Sequence, residues 1–214
     1  LARVNISLDT LDRDRFKELT RRDRLHDTLA GIAAADSVGF TPIKLNAVVM
    51  RDVNEDEVVP LVRYAVEHGY QMRFIEQMPL DAGHTWDRTT MVTQAEILER
   101  LRAAFRLEEV PGRGSAPAEL WTVDGGPHTV GVIASVTAPF CGACDRVRLT
   151  ADGQLRNCLF AQDETDLRTL MREGCTDEDI AAAIRTSIGG KKAGHGIDDP
   201  GFLQPRRPMS AIGG

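Results

Sequence analysis

Three cysteines and two arginines crowd one stretch of the chain, FCGACDRVRLTADGQLRNCLF at residues 140–160. Two residues separate Cys141 from Cys144, and thirteen separate Cys144 from Cys158. Residues 146–150 alternate charged and apolar side chains, Asp152-Gly153 favours a tight type I′ turn, and residues 154–159 run back, so a hairpin is expected to return Cys158 close to Cys144. Arg146 and Arg148, two apart on such a strand, would project from one face. Soft thiolates at this spacing suit a zinc ion or an iron–sulfur cluster. Structural zinc wants four protein ligands, and Cys175 or His195 is available as the fourth. Three cysteines alone leave a metal position open to substrate. Spacing leaves both readings standing, with a redox CxxC pair behind them.

The segments that would carry such a site have a clear rhythm. Residues 3–8 set Arg3, Asn5 and Ser7 against Val4, Ile6 and Leu8. Residues 44–50 set Lys44 and Asn46 against Leu45, Ala47 and Val49, and residues 70–78 set Gln71, Arg73, Ile75 and Gln77 against Met72 and Phe74. Between these strands lie helical patterns at about 11–19, 27–37 and 54–68, the last with Asn54 and Glu57 as an expected capping box. Strand and helix in alternation predict parallel βαβ units. Parallel strands are usually apolar on both faces, whereas one face here carries Asn5, Ser7, Lys44, Asn46 and Arg73. Two cations on that face point to an anionic ligand such as a phosphate chain. The plainer alternative is a sheet with one wet face, on which Lys44 and Arg73 are solvated.

Thr93 with Glu96 opens a further capped helix. The run Pro-Gly-Arg-Gly-Ser-Ala-Pro at 111–117 is the best linker candidate, after which the pattern changes to an antiparallel hairpin and two amphipathic helices, at 165–173 and 176–188. The expected domains are therefore 1–110 and 111–214. A Gly- and Pro-rich tail closes the sequence.

With 214 residues, 42% hydrophobic and 27% charged, the composition is that of an ordinary globular protein. No apolar run is long enough to span a membrane, and cytoplasmic residence is the expectation. A net charge of −6 argues against a general nucleic-acid surface, so any anion site must be local. The first strand stands so near Leu1 that a preceding segment is expected.

VNISLDTLD, IKLNAVVMRDVNEDE, RFIEQMP, the cysteine–arginine stretch and the terminal MSAIGG together resemble the GTP 3′,8-cyclase family, radical S-adenosylmethionine enzymes of molybdenum cofactor biosynthesis. The resemblance implies an α/β fold: part of an incomplete (β/α) TIM-like barrel of the radical SAM type, followed by a C-terminal α+β iron–sulfur region. It implies a [4Fe-4S] cluster on Cys141, Cys144 and Cys158, with its fourth iron left for guanine. It assigns Arg146, Val147, Arg148, Lys44 and Arg73 to GTP, Ser7 and Met78 to S-adenosylmethionine, and Gly213 and Gly214 to a tail needed for turnover. Cys175 matches no ligand. The reaction implied is radical conversion of GTP to (8S)-3′,8-cyclo-7,8-dihydroguanosine 5′-triphosphate, in a possible homodimer, with cyclic pyranopterin monophosphate synthase acting downstream.

The family's CxxxCxxC motif, which holds the first cluster and generates the 5′-deoxyadenosyl radical, does not occur in this sequence. That cluster is expected in a missing N-terminal part, and the chain alone is expected to be inactive. Two rival readings are a zinc-stabilised binding module without enzymatic activity and a degenerate relative that binds GTP without chemistry.

Overall fold

The computed structural model describes residues 1–212 and divides the chain into two compact units, residues 1–77 with 88–138 and residues 78–87 with 139–214. In the first unit, β1 (Val4–Ser7) is followed by α1 (Arg13–Thr20) and α2 (Leu25–Ser37), then β2 (Ile43–Val49), α3 (Val58–His68) and β3 (Gln71–Glu76). The expected strand–helix rhythm is present, and β1, β2 and β3 pair in parallel.

Four more elements complete the unit: α4 (Gln94–Ala104), β4 (Leu107–Val110), β5 (Glu119–Val123) and β6 (Thr129–Ile133). The six strands form one mixed sheet in the order β1-β2-β3-β6-β5-β4, with β6 parallel to β3 and the other two joined antiparallel. Its apolar face, with Leu45, Met72, Phe74, Val130 and Val132, forms a buried core with Ile32, Leu61, Ile97 and Leu101 from the helices. Burial alternates residue by residue along β2 and β3, as the hydrophobic period requires.

Two local expectations need correction. The boundary expected at 110/111 runs through the sheet, because the 111–117 stretch is the connection between paired β4 and β5. Arg113 closes that loop on itself, its guanidinium donating to Ala116 O at 2.9 Å and Pro117 O at 2.7 Å. Glycine and proline punctuate hairpin loops as readily as linkers. The expected capping box at Asn54 and Glu57 is also absent. Asn54 Oδ1 accepts from Met50 N–H while its amide donates to Asp9 O and Val48 O. Glu57 accepts from Leu11 N–H, Thr10 and Arg15. Asn54 ties the end of β2 to Asp9, Glu57 serves the loop after β1, and a 3-10 turn at Glu55–Glu57 leads into the helix. Thr93 and Glu96 do form a full capping box on α4.

In the second unit, β7 (Arg148–Leu149), β8 (Gln154–Arg156) and β9 (Thr165–Asp166) make a small antiparallel sheet, followed by α5 (Leu167–Arg172) and α6 (Asp177–Gly189). Thr176 and Asp179 cap α6 reciprocally. The tail stays attached to this unit: Met209 N–H donates to Leu80 O at 2.8 Å, and Gln204 donates to Asp81 at 2.9 Å.

Candidate functional site

The hairpin between β7 and β8 forms, pairing Arg148 with Arg156 and Leu149 with Leu155. Its turn differs from the expected type I′. That turn needs two residues in the left-handed region, and here Gly153 alone has positive φ, at 82°. The turn is closed by Gly153 N–H to Thr150 O at 3.0 Å and by Thr150 N–H to Gln154 O at 2.9 Å. A Cβ on Gly153 would sit 2.6 Å from Arg168 Cβ, so close packing as well as backbone conformation requires glycine there.

The strand is shorter than its alternation suggests, starting at Arg148 rather than Arg146. The carbonyl of Arg146 is taken by Lys191 Nζ at 2.6 Å instead of a strand partner. Strand periodicity therefore does not fix the two arginines to one face. Arg146 is exposed, its guanidinium 4.6 Å from the centre of the Phe140 ring. Arg148 is half-buried and donates to Ile212 O at 3.4 Å. Burial, then the neighbouring Arg146 charge, pushes the Arg148 pKa down. Val147 is 40% exposed.

Cys141, Cys144 and Cys158 line one cavity of about 960 Å³, together with Phe160, Lys191 and His195. Burial pushes the Cys141 thiol up, and the Cys158 and Cys144 sulfurs add to this, while a backbone hydrogen bond from His195 works the other way. The Cys141 sulfur thus lies within electrostatic reach of the other two. Phe160 N–H donates to Cys158 Sγ at 3.4 Å, and Lys191 Nζ lies 3.7 Å from Cys144 Sγ. Sulfurs that accept hydrogen bonds around a shared cavity suit thiolate ligation of an iron–sulfur cluster. Among the described residues, no three His, Cys, Asp or Glu side chains are grouped as ligands of a single metal ion. The His195 and Phe160 rings meet at a tilt of 39°, with centres 4.6 Å apart. Cys175 lies between α5 and α6, and it is not among the described residues lining the cavity.

In the first unit, the polar face of the sheet carries Ser7 paired with Asn46 and Asn46 paired with Arg73, with Lys44 beside Gln71. Burial pushes the Lys44 pKa down, followed by the charges of Arg73 and Arg3. Burial alone lowers that of Arg73. Cations disfavoured in this way are stabilised when an anion comes among them. Asn46 Oδ1 is buried without a hydrogen-bond partner on the same face. Gly131 pairs with Arg73, and a Cβ there would lie 3.3 Å from Arg73 Cγ, so its missing side chain gives the arginine stem room to cross β6.

Residues 70–197 match the Molybdenum Cofactor Synthesis C family. The chain belongs to that family. It is 62% identical to a GTP 3′,8-cyclase of Streptomyces coelicolor, over 100% of this chain and 63% of that protein. It is 60% identical to a GTP 3′,8-cyclase of Mycobacterium sp. strain KMS and 57% identical to one of Mycobacterium marinum, each over 100% of this chain and 61% of the relative. The chain therefore spans about three fifths of the length of these relatives.

Within the molybdenum cofactor synthesis C chain, Met78 is half-buried in the second unit and Ser7 is exposed in the first. Gly213 and Gly214 lie outside the described residues. Three residues around these sites escaped the sequence reading. Glu76, at the end of β3, is fully buried and accepts from Gln94 N–H, Val136 N–H and Thr137. Arg156, 2% exposed, donates to Glu164 and to the carbonyls of Leu159 and Ala161, folding the chain around Cys158. Lys191 is the third. A charged residue inside QLRNC was the available signal for Arg156, whereas Lys191 sits in a Gly/Lys run with none.

Proposed function

We propose that this chain is the part of a GTP 3′,8-cyclase that carries the second cluster and GTP-binding residues, acting in molybdenum cofactor biosynthesis on GTP with S-adenosylmethionine. The observation that supports the reading is that Cys141, Cys144 and Cys158 all line one cavity, with no fourth cysteine along it among the described residues. Membership of the family and whole-chain similarity to proteins named GTP 3′,8-cyclase support it. In this reading the mixed sheet is a segment of an incomplete (β/α) barrel whose polar face looks inward, and the strands and first cluster that complete the enzyme lie in the remaining two fifths of the relatives' length. No helix among the described residues is long and apolar enough to cross a membrane, and we assign the enzyme to the cytoplasm.

The three thiolates would hold a [4Fe-4S] cluster, which when bound supplies an iron without a protein thiolate as a Lewis acid for the guanine base. The chain's own residues position and enclose. Arg146 and Arg148 offer fixed positive charge to a triphosphate, with the Val147 backbone between them. Lys44 and Arg73 are nucleotide contacts, Ser7 and Met78 are S-adenosylmethionine contacts, and Gly213 and Gly214 belong to the tail required for turnover. A carbon radical on ribose reacts with whatever it meets, so held geometry and exclusion of water matter more than proton transfer. A homodimer, and a downstream cyclic pyranopterin monophosphate synthase that consumes the product, complete the proposal.

Anaerobic reconstitution of the chain with iron and sulfide tests it. The expected product is brown, with about four irons per chain, and Cys158→Ala loses the cluster. A colourless product, or one zinc per chain with Cys175 or His195 required, overturns the assignment and favours a zinc-stabilised module.

A further inference from the structure

We propose that Lys191 is a positioning residue of the three-cysteine site: it locks the two cysteine-bearing segments together and sets the reduction potential of the cluster they hold. The inference rests on the cluster reading above. Lys191 follows the last turn of α6, its own N–H donating to Ile188 O at 3.1 Å. From there its ammonium reaches three acceptors. It donates to Arg146 O at 2.6 Å and to Asn157 O, and it lies 3.7 Å from Cys144 Sγ.

An ammonium has three protons to give, and these three acceptors use them all. They are not scattered. Arg146 follows Cys144 by two residues and opens the arginine pair, while Asn157 immediately precedes Cys158. A single side chain therefore fixes the exit from the first two cysteines against the approach to the third. Asn157 is tied to the same helix end a second time, its amide donating to Ser187 O at 2.9 Å.

A purely structural clamp would be satisfied by the two carbonyls. The third contact, to sulfur, is what adds a chemical effect. A positive charge beside a ligating thiolate stabilises the more negative, reduced cluster, and donors to the ligand sulfurs are among the levers that set such potentials. Removing the charge should shift the potential to more negative values.

The test uses the whole chain reconstituted anaerobically, with iron and sulfide counted and the midpoint potential read by a redox titration followed in the electron paramagnetic resonance spectrum. Lys191→Met should retain the cluster at a more negative midpoint, and Lys191→Arg, which keeps a cation, should recover most of the shift. A Lys191→Met chain with wild-type cluster content and an unchanged midpoint overturns the proposal. If Lys191→Met takes up no cluster, Lys191→Arg decides: a cluster at the wild-type midpoint supports the role, and failure there too overturns it. A wild-type chain that builds no cluster overturns the cluster reading itself, and this inference with it.

Discussion

Arg207 meets Asp152 in a two-pronged fork, Nη1 to Oδ1 at 3.1 Å and Nη2 to Oδ2 at 2.8 Å. One partner is in the C-terminal tail and the other in the turn of the β7–β8 hairpin, so the fork fastens the tail to the hairpin that bears Cys158. Arg207 Nε adds Glu164 at 2.9 Å, and Glu164 also holds the buried Arg156. The tail is thereby coupled to the loop around Cys158 through one carboxylate.

Arg207→Lys should loosen the tail almost as much as Arg207→Ala, because an ammonium cannot reproduce the fork. Hydrogen exchange at residues 205–212 is the measurement, and both variants should exchange severalfold faster. Arg207, then Thr150, holds the Asp152 carboxyl well below the usual carboxylate range. A depressed folded-state pKa means the tie is fully present above the unfolded value of about 4 and fades only as pH falls beneath it. Tail protection should therefore be flat from pH 8 to pH 5. Protection already lost by pH 6 would show that another group controls the tail.

Glu76 gathers three backbone N–H groups, from Gln94, Val136 and Thr137, at 2.8–2.9 Å. It joins the end of β3 to the start of α4 and to the chain leaving β6. Glu76→Ala strands these donors in the interior and should cost about 3 kcal/mol or more in urea unfolding. Glu76→Gln should also destabilise, because its amide nitrogen can only donate where donors already converge. A loss under about 0.5 kcal/mol in the alanine variant would mean that water replaces the carboxylate.

Glu76 also illustrates what the sequence could reveal. The alternation in residues 70–78 was enough to find β3 and its two faces, because hydrophobic period is a local signal. The same alternation put a carboxylate on the apolar side without saying why, since its partners lie 18 to 61 residues further along. Thr93 with Glu96 was legible as a cap because both members serve their own helix. Asn54 with Glu57 has the same look, but those side chains are drawn to the end of β2 and the loop after β1. The three cysteines and the hairpin between them were readable from spacing, whereas the Lys191 contact comes from a segment 47 residues beyond Cys144. Local chemistry showed through, and partnerships made by folding did not.

The capping box of α4 supplies a pH prediction. Glu96 is pushed down to about 2, first by the Thr93 backbone hydrogen bond and then by Arg51, which donates to it at 2.6 Å. With a folded pKa below the unfolded one, its contribution is complete above about pH 4.5 and disappears as pH falls toward 2. Glu96→Gln should cost about 1 kcal/mol at pH 7. Urea midpoints of the variant and the parent should converge between pH 5 and pH 2. A gap that stays constant over that range would locate the effect in packing.

Gly131 links the fold to the polar face of the first unit. A Cβ there would lie 3.1 Å from Ala118 Cβ and from Leu120 Cδ2, and 3.3 Å from Arg73 Cγ. Gly131→Ala should cost about 1–3 kcal/mol through overpacking. Part of that cost arises from the arginine stem, which is anchored by Nε donating to Gln71 Oε1 at 3.0 Å and cannot step aside without breaking that bond. Gln71 is fixed in turn by donating to Thr129 Oγ1 at 2.8 Å, one strand over. Combining Gly131→Ala with Arg73→Ala should therefore destabilise by less than the sum of the single changes, with a coupling of about 0.5 kcal/mol or more. Strict additivity in a double-mutant cycle would show that Ala118 and Leu120 alone set the requirement for glycine, and that Arg73 is placed by its hydrogen bond to Gln71 rather than by the room Gly131 leaves.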